Sequence, residues 1–212
     1  MSVIPAKIEL VANGVDAEWF EQKHVSLPKE PTVLSVGTFK WLPNVEAVQF
    51  LLQQVWPLVK KKVPGVKLWV VGNAPTSEVL AYQEQDSDVT VTGGIPDIRD
   101  AFKGAHVLVA PVFSGKGTRY KILEAMASGT PIVATSIAVE GLGVAHEQEI
   151  LIANTPQEMA DQIARLLANP QLRQRLATAG KKYVTQNYDW KLISKQLDSV
   201  YRQLGKGEYD HT

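Results

Sequence analysis

Three cations and one carboxylate lie close together in a glycine-rich stretch near the middle of the chain. Lys116, Arg119, Lys121 and Glu124 share this stretch with Gly117. Cations are disfavoured at the positive end of a helix dipole, where acidic side chains are preferred. A bound anion would remove that penalty, and helix N-termini that follow glycine-rich loops are common phosphate sites. The residue types and their spacing therefore predict phosphate binding at the start of a helix.

The helix that follows this loop is expected to have Thr118 as its N-cap, because threonine caps helices well. Arg119 and Lys121 then lie in the first turn, and Glu124 shares a helix face with Lys121. Structural alternatives stay open for these charges. Lys121 and Glu124 could be an ordinary surface pair, worth about 0.2–0.5 kcal/mol, and Arg119 could pair with Glu124 or Glu140.

Alternating strand and helix patterns must position this stretch. Short apolar, β-branched runs predict six strands, at residues 33–37, 67–72, 89–92, 106–110, 131–135 and 149–152. Helices are predicted at residues 43–63, 76–85, 96–103, 156–167, 171–186 and 189–204, and after the glycine-rich loop. This alternation is typical of an α/β protein with a doubly wound, Rossmann-like parallel sheet and C-terminal packing helices.

Composition excludes several classes of protein and of site. The chain has 212 residues with 22 basic and 22 acidic side chains, so we expect no nucleic-acid partner. It has no cysteine, its four histidines show no metal-ligand spacing, and we expect no metal. Asp86-Ser87-Asp88 has a form that holds metal ions elsewhere, but it precedes a strand and is interpreted as a solvated loop. The sequence shows no membrane span and no signal peptide, which favours a cytoplasmic protein.

Ligands of parallel sheets bind at the carboxyl ends of the strands. Four loops at predicted strand ends contain glycine: residues 37–40, 72–73, 93–96 and 115–124. Only one glycine, Gly37, follows the first strand, whereas a dinucleotide fingerprint needs three. The sequence therefore disfavours a dehydrogenase and predicts that the four loops converge on one ligand.

These motifs, in order, resemble the donor-binding domain of GT-B retaining glycosyltransferases, and most closely the group-1 transferases of polysaccharide and glycoconjugate assembly. They are Gly37-Thr38-Phe39-Lys40-Trp41-Leu42-Pro43-Asn44, Val70-Val71-Gly72, Val91-Thr92-Gly93, Ala110-Pro111, residues 117–131 and Glu140-Gly141-Leu142. Residues 11–16 resemble the interdomain linker of that family. The resemblance implies a linker segment at residues 1–27 and a nucleotide-sugar (donor) binding domain at 28–204. Residues 205–212 have nothing to bury and are expected to form a disordered tail.

The resemblance also implies roles for single residues. Glu124 matches a glutamate that hydrogen-bonds the nucleotide ribose, Arg119 and Lys121 fall where the diphosphate is neutralised, and Ile95 and Pro96 lie where the base is contacted. The candidate catalytic residues are Lys116, Arg119, Lys121 and Glu124. The candidate donor-binding residues are Gly37, Thr38, Lys40, Gly72, Ile95, Pro96, Gly117, Thr118, Arg119, Lys121, Leu123 and Glu124. The donor would be a UDP- or GDP-sugar, bound without a metal cofactor.

Two positions depart from the family pattern. Lys116 stands where the family has a first glutamate, and Thr38 replaces a frequent phosphate-binding arginine, with Lys40 nearby. The alternative functions are accordingly a nucleotide or nucleotide-sugar binding module without catalysis, or one subunit of a split transferase.

No acceptor domain precedes the linker in this sequence, so the chain resembles an excised half of a transferase. We expect it to bind donor without transferring sugar. A glycan or lipid-linked acceptor would be held by an N-terminal domain, which could also bring the protein to the inner membrane. Weak self-association is expected through apolar side chains meant for that domain, namely Trp19, Phe20, Trp190, Leu197 and Tyr201.

Overall fold

The fold is built around one parallel sheet. It is seen in a computed structural model that describes residues 8–115 and 119–205. Within those residues six strands pair in the order β3-β2-β1-β4-β5-β6. The strands are β1 Thr32–Val36, β2 Lys67–Val71, β3 Val89–Thr92, β4 Val107–Ala110, β5 Ile132–Ala134 and β6 Leu151–Ile152. All pairings are parallel, so the predicted doubly wound α/β sheet is confirmed.

Helices cover both faces of the sheet. In the described part of the chain the α-helices are α1 Ala17–Gln22, α2 Leu42–Phe50, α3 Trp56–Lys62, α4 Ser77–Gln85, α5 Ile98–Lys103, α6 Tyr120–Ser128, α7 Pro156–Ala168, α8 Pro170–Asn187 and α9 Trp190–Gly205. Neighbouring strand residues alternate between two cores: Val33 packs with α3 and α7, and Leu34 packs with α5 and α6. Because both faces are covered, most strand residues are apolar and buried, and this holds for every residue of β4 and β5.

The helix predicted at residues 43–63 is interrupted by a π-helical turn over Leu51–Val55. There the Trp56 N–H donates to the Leu51 carbonyl, five residues back. Pro57 explains the interruption, because proline lacks an N–H and its ring clashes with the preceding turn of an α-helix. The wider turn keeps Leu51, Val55 and Val59 buried on one side of the helix.

Part of the predicted linker segment, residues 1–27, packs into the core of the domain. Asp16 caps α1 by accepting a hydrogen bond from the Trp19 N–H at 2.9 Å. The Phe20 side chain is buried and meets the Phe102 ring edge-on, with the ring centroids 6.1 Å apart. Phe20 is therefore unavailable as the exposed contact residue that the sequence predicts.

Asp86 and Asp88 belong to a structural ion-pair cluster. The Lys60 ammonium lies 2.8 Å from Asp86 and 3.0 Å from Asp88, and Lys67 lies 2.6 Å from Asp88. The Trp56 indole N–H also donates to Asp86, at 3.0 Å. The two carboxylates thus tie α3 to the edge of the sheet. Across residues 8–115 and 119–205 no group of three potential metal-ligating side chains occurs.

Candidate functional site

A cleft of about 590 Å³ opens at the carboxyl ends of β1, β2 and β3 and is closed on one side by the start of α6. It lies where the strand order reverses between β1 and β4. In doubly wound sheets this reversal leaves a crevice between loops that run to opposite faces, and ligands bind there. The lining residues are Val36, Gly37, Thr38, Trp41, Asn44, Val71, Gly72, Asn73, Gly94, Ile95, Ile98, Arg119, Tyr120, Lys121 and Glu124.

The fold brings together many of the side chains that the sequence singles out. The predicted site residues that line the cleft are Gly37, Thr38, Gly72, Ile95, Arg119, Lys121 and Glu124. Lys40 and Pro96 are exposed and do not line it, and the Leu123 side chain is buried in the core beneath α6. Lys116, Gly117 and Thr118 lie outside the described residues, as does the predicted tail beyond residue 205.

The loop that follows β1 and the loop that follows β2 are packed backbone to backbone. The Gly37 N–H donates to the Val71 carbonyl at 3.0 Å, and the Phe39 N–H donates to the Asn73 carbonyl at 2.9 Å. A Cβ atom at Gly72 would lie 1.5 Å from the Gly37 carbonyl oxygen. Only glycine fits this close approach, so the loop that follows β2 supports the loop that follows β1.

Helix α6 begins one residue later than predicted, with Arg119 as its N-cap. No side chain caps it within the described residues, and its first turn has no acidic side chain. The Arg119 guanidinium donates to the carbonyls of Ser114, at 3.1 Å, and Gly115, at 2.5 Å. Arg119 thus fastens its own loop, and the pairing with Glu124 or Glu140 that the sequence left open is not what the structure shows.

The loop before α6 is also fixed to α2 from the other side. The Ser114 hydroxyl donates to a Glu46 carboxylate oxygen at 3.0 Å. The Phe113 and Phe50 rings meet edge-on with their centroids 4.6 Å apart. The start of α6 therefore has a defined position relative to the start of α2, and the two helices face each other across the cleft.

Lys121 is the most perturbed cation of the cleft. Its ammonium donates to the Asn44 side-chain oxygen at 2.9 Å and forms no ion pair with a carboxylate of the described residues. Burial lowers the pKa of Lys121 to about 8, and the Arg119 charge adds to this shift, while Glu124 opposes it. Burial also raises the pKa of Glu124, against the opposing effect of Lys121. Both side chains are half-buried and the Lys121 ammonium bonds Asn44 rather than Glu124, so the alternative of an ordinary surface pair is wrong.

Sequence reasoning missed several polar lining residues, of which Asn44 is the most connected. Its side-chain N–H donates to the Thr38 carbonyl at 2.9 Å while its oxygen accepts from Lys121. Asn44 belongs to a motif that carries the family resemblance, but its spacing indicates only a helix start. Asn73 directly follows Gly72 and also lines the cleft.

A second cavity, of about 530 Å³, lies near the amino ends of β4 and β5. Lys103, His106 and Arg173 are among its lining residues. No predicted site residue lines this cavity, so the predicted chemistry belongs to the cleft at the other end of the sheet.

Comparison with known proteins identifies the class to which this fold and cleft belong. The family model described as "Glycosyl transferases group 1" matches residues 30–169, which is more than half of the chain. The chain belongs to this family. The described architecture is the Rossmann-like C-terminal half of the GT-B fold, as the resemblance implies.

A curated relative and two solved structures show how far the similarity extends. A GDP-mannose-dependent alpha-(1-6)-phosphatidylinositol monomannoside mannosyltransferase of Mycobacterium tuberculosis is 26% identical over 223 residues, covering 93% of this chain and 56% of the relative. Sucrose-phosphate synthase from Thermosynechococcus elongatus is 26% identical with a TM-score of 0.76, covering 94% of this chain and 53% of the other. Anabaena HepE, solved with UDP and glucose, shares the fold at 17% identity with a TM-score of 0.77, covering 92% and 56%. The chain spans about half the length of the curated relatives it matches.

Proposed function

We propose that this chain binds a nucleoside-diphosphate sugar in the cleft and serves as the donor-binding half of a glycosyltransferase. The observation that carries the proposal is the Lys121 ammonium, which lies near the N-terminus of α6 with a neutral amide as its described hydrogen-bond partner. A cation that is partly desolvated and lacks a counter-ion is expected to bind an anion strongly, because little water must be removed from it.

A diphosphate fits this environment. Its charge would be met by Lys121 and by the positive end of the α6 dipole, with the Arg119 charge close by. In glycosyl transfer, positive charge develops on the sugar while negative charge builds on the leaving diphosphate. Fixed donors at that position stabilise the transition state more than the ground state. The proposal therefore needs no metal ion.

The nucleoside would extend toward Glu124 and the loop that contains Ile95. A carboxylate accepts hydrogen bonds from ribose hydroxyls, and Glu124 has no hydrogen-bond partner among the described residues to compete for it. HepE was solved with UDP, and the mycobacterial relative is named for GDP-mannose, so UDP and GDP are the two donors to compare.

The acceptor would be held outside this cleft. The mycobacterial relative is named for a lipid acceptor, and on that basis we propose a glycan or lipid-linked acceptor held by a further domain. Such a domain could bring an otherwise cytoplasmic protein to the surface of the inner membrane. None of the helices in the described residues is long and apolar enough to cross a bilayer.

Donor binding can be tested by isothermal titration with UDP, GDP and the matching nucleosides. We expect Lys121→Ala to weaken UDP or GDP binding roughly ten- to a hundredfold, because one charge-assisted hydrogen bond is worth about 1.5–3 kcal/mol. Nucleoside binding should change little, since the nucleoside carries no phosphate. Lys61→Ala is the matched control, because Lys61 is an exposed lysine on α3 that does not line the cleft.

Two results would contradict the proposal. One is that the parent chain binds neither diphosphate at millimolar concentration. The other is that Lys121→Ala weakens nucleoside and nucleotide equally, which would indicate a folding defect rather than a lost charge.

One sequence feature favours a second candidate, a donor-binding module without catalysis. Lys116 stands where the family has a glutamate, and a carboxylate that contacts the sugar would then be missing. This candidate shares the same cleft and the same binding experiment. The two candidates differ only in a transfer assay with an acceptor domain present. There a transferase half would be active and a binding module would stay inactive.

A further inference from the structure

One side chain, Asn44, joins the two sides of the cleft. Its Oδ1 accepts a hydrogen bond from the Lys121 ammonium at 2.9 Å, and its Nδ2 donates to the Thr38 carbonyl at 2.9 Å. Lys121 lies on α6 and Thr38 lies in the loop after β1. A carboxamide offers a donor and an acceptor at the same time, whereas a carboxylate or a methyl group cannot make both bonds.

The position of the amide is fixed by its surroundings. Asn44 lies in the first turn of α2, so its backbone has little freedom. A Cβ atom at Gly37 would lie 3.0 Å from the Asn44 Cγ atom, which shows that the carboxamide packs directly against the Gly37 backbone. The amide is therefore held between the loop after β1 and the Lys121 ammonium.

We propose that Asn44 is a positioning residue of the donor site, which holds the Lys121 ammonium in place for the diphosphate. This inference rests on the proposed function. A lysine ammonium sits on a flexible four-carbon stem. When that side chain loses conformational freedom on binding, the affinity for the ligand is lowered. Anchoring the ammonium before the ligand arrives reduces that loss.

The same contact makes binding depend on pH in a defined direction. Among the described residues, the ionisable side chains that line the cleft are Arg119, Tyr120, Lys121 and Glu124. The terminal phosphate of UDP is fully ionised above about pH 7. Because the diphosphate prefers the charged ammonium, and the pKa of Lys121 is lowered to about 8, UDP affinity should change little between about pH 7 and 8 and fall at higher pH.

Two substitutions at Asn44 should move this pH profile in opposite directions. Asn44→Ala removes the acceptor that favours the charged ammonium. The fall in UDP affinity with rising pH should therefore begin about half to one pH unit lower than in the parent. Affinity at pH 7 should weaken roughly tenfold. Asn44→Asp places a negative charge beside the ammonium, so the fall should begin at higher pH, although repulsion of the phosphates weakens binding throughout.

The experiment is a titration of the parent and both variants with UDP from pH 7 to 9.5, with uridine as a second ligand and thermal unfolding as a check on folding. Asn187→Ala is the matched control, because the Asn187 side chain is exposed at the end of α8, donates to the Tyr183 carbonyl and does not line the cleft. Its profile should match that of the parent.

The inference is overturned if the parent binds UDP and both Asn44 variants keep the parental pH profile. It is also overturned if Asn44→Ala weakens uridine and UDP to the same degree, which would assign Asn44 to the fold rather than to Lys121. If the parent binds no UDP, the proposed function itself fails, so the two failures are distinguishable.

Discussion

Lys121 and Glu124 lie one turn apart on α6, and the fold shifts both away from their charged forms. Burial lowers the pKa of the lysine to about 8 and raises the pKa of the glutamate. Their opposite charges only partly offset this effect. A ligand that places phosphate near the ammonium and hydroxyl groups near the carboxylate would satisfy both groups, and the proposed nucleoside diphosphate carries groups of both kinds.

At Glu124 the expected result differs from that at Lys121. Glu124→Ala should weaken uridine and UDP alike, roughly ten- to a hundredfold, because a ribose hydrogen bond to a carboxylate does not depend on the phosphates. The measurement is a pair of titrations with the two ligands. Glu84→Ala serves as the control, since Glu84 is an exposed glutamate on α4. A variant that binds uridine as the parent does would remove Glu124 from the ribose site.

Single residues show the limit of prediction from sequence at this scale. Lys121 and Glu124 could be predicted because their spacing on a helix, and the loop before it, are local features. The bond between Asn44 and Lys121 joins residues 77 positions apart, so no local pattern encodes it. Lys40 and Pro96 do not line the cleft, because the direction of a loop side chain depends on backbone angles that the sequence does not specify.

At the scale of elements, the cleft depends on how closely two loops pack. Gly72→Ala would place a Cβ atom 1.5 Å from the Gly37 carbonyl oxygen, so one of the loops must move. We expect a loss of about 1–3 kcal/mol in the free energy of unfolding, which is typical of overpacking. Chemical denaturation would measure it. Gly93→Ala is the control, because a Cβ atom there would meet no atom within 4 Å. Equal stability of the two variants would refute the packing argument.

The strands were predictable because buried parallel strands are short runs of apolar, β-branched residues, and all six runs form strands. The elements that the sequence described wrongly have specific causes. The helix over residues 43–63 contains Pro57, whose effect on the turn before it was not anticipated. Helix α1 has only six residues, too few for a periodic pattern, yet its Ala17 and Phe20 are buried.

For the whole molecule, the surface around α9 stays a predicted interaction surface. Trp190, Leu197 and Tyr201 are exposed to 43%, 41% and 64%, and Trp19 on α1 to 39%. The Trp19 ring is partly covered by the Arg99 guanidinium, 3.9 Å from its centroid. This apolar surface suits either weak self-association or a further domain, and sedimentation over a range of concentrations would test the first of these.

The 212-residue polypeptide by itself contains the proposed donor cleft. We expect it to bind donor without transferring sugar. Transfer requires an acceptor oxygen about 3–3.5 Å from the anomeric carbon and a site that excludes water. Both requirements are met when a second domain closes over the cleft. Incubation with labelled UDP- and GDP-sugars and a panel of glycan and lipid acceptors would measure transfer, with a full-length family member as the positive control. Robust transfer by the polypeptide that disappears in Lys121→Ala would show that this half alone completes the active site, and would overturn the expectation.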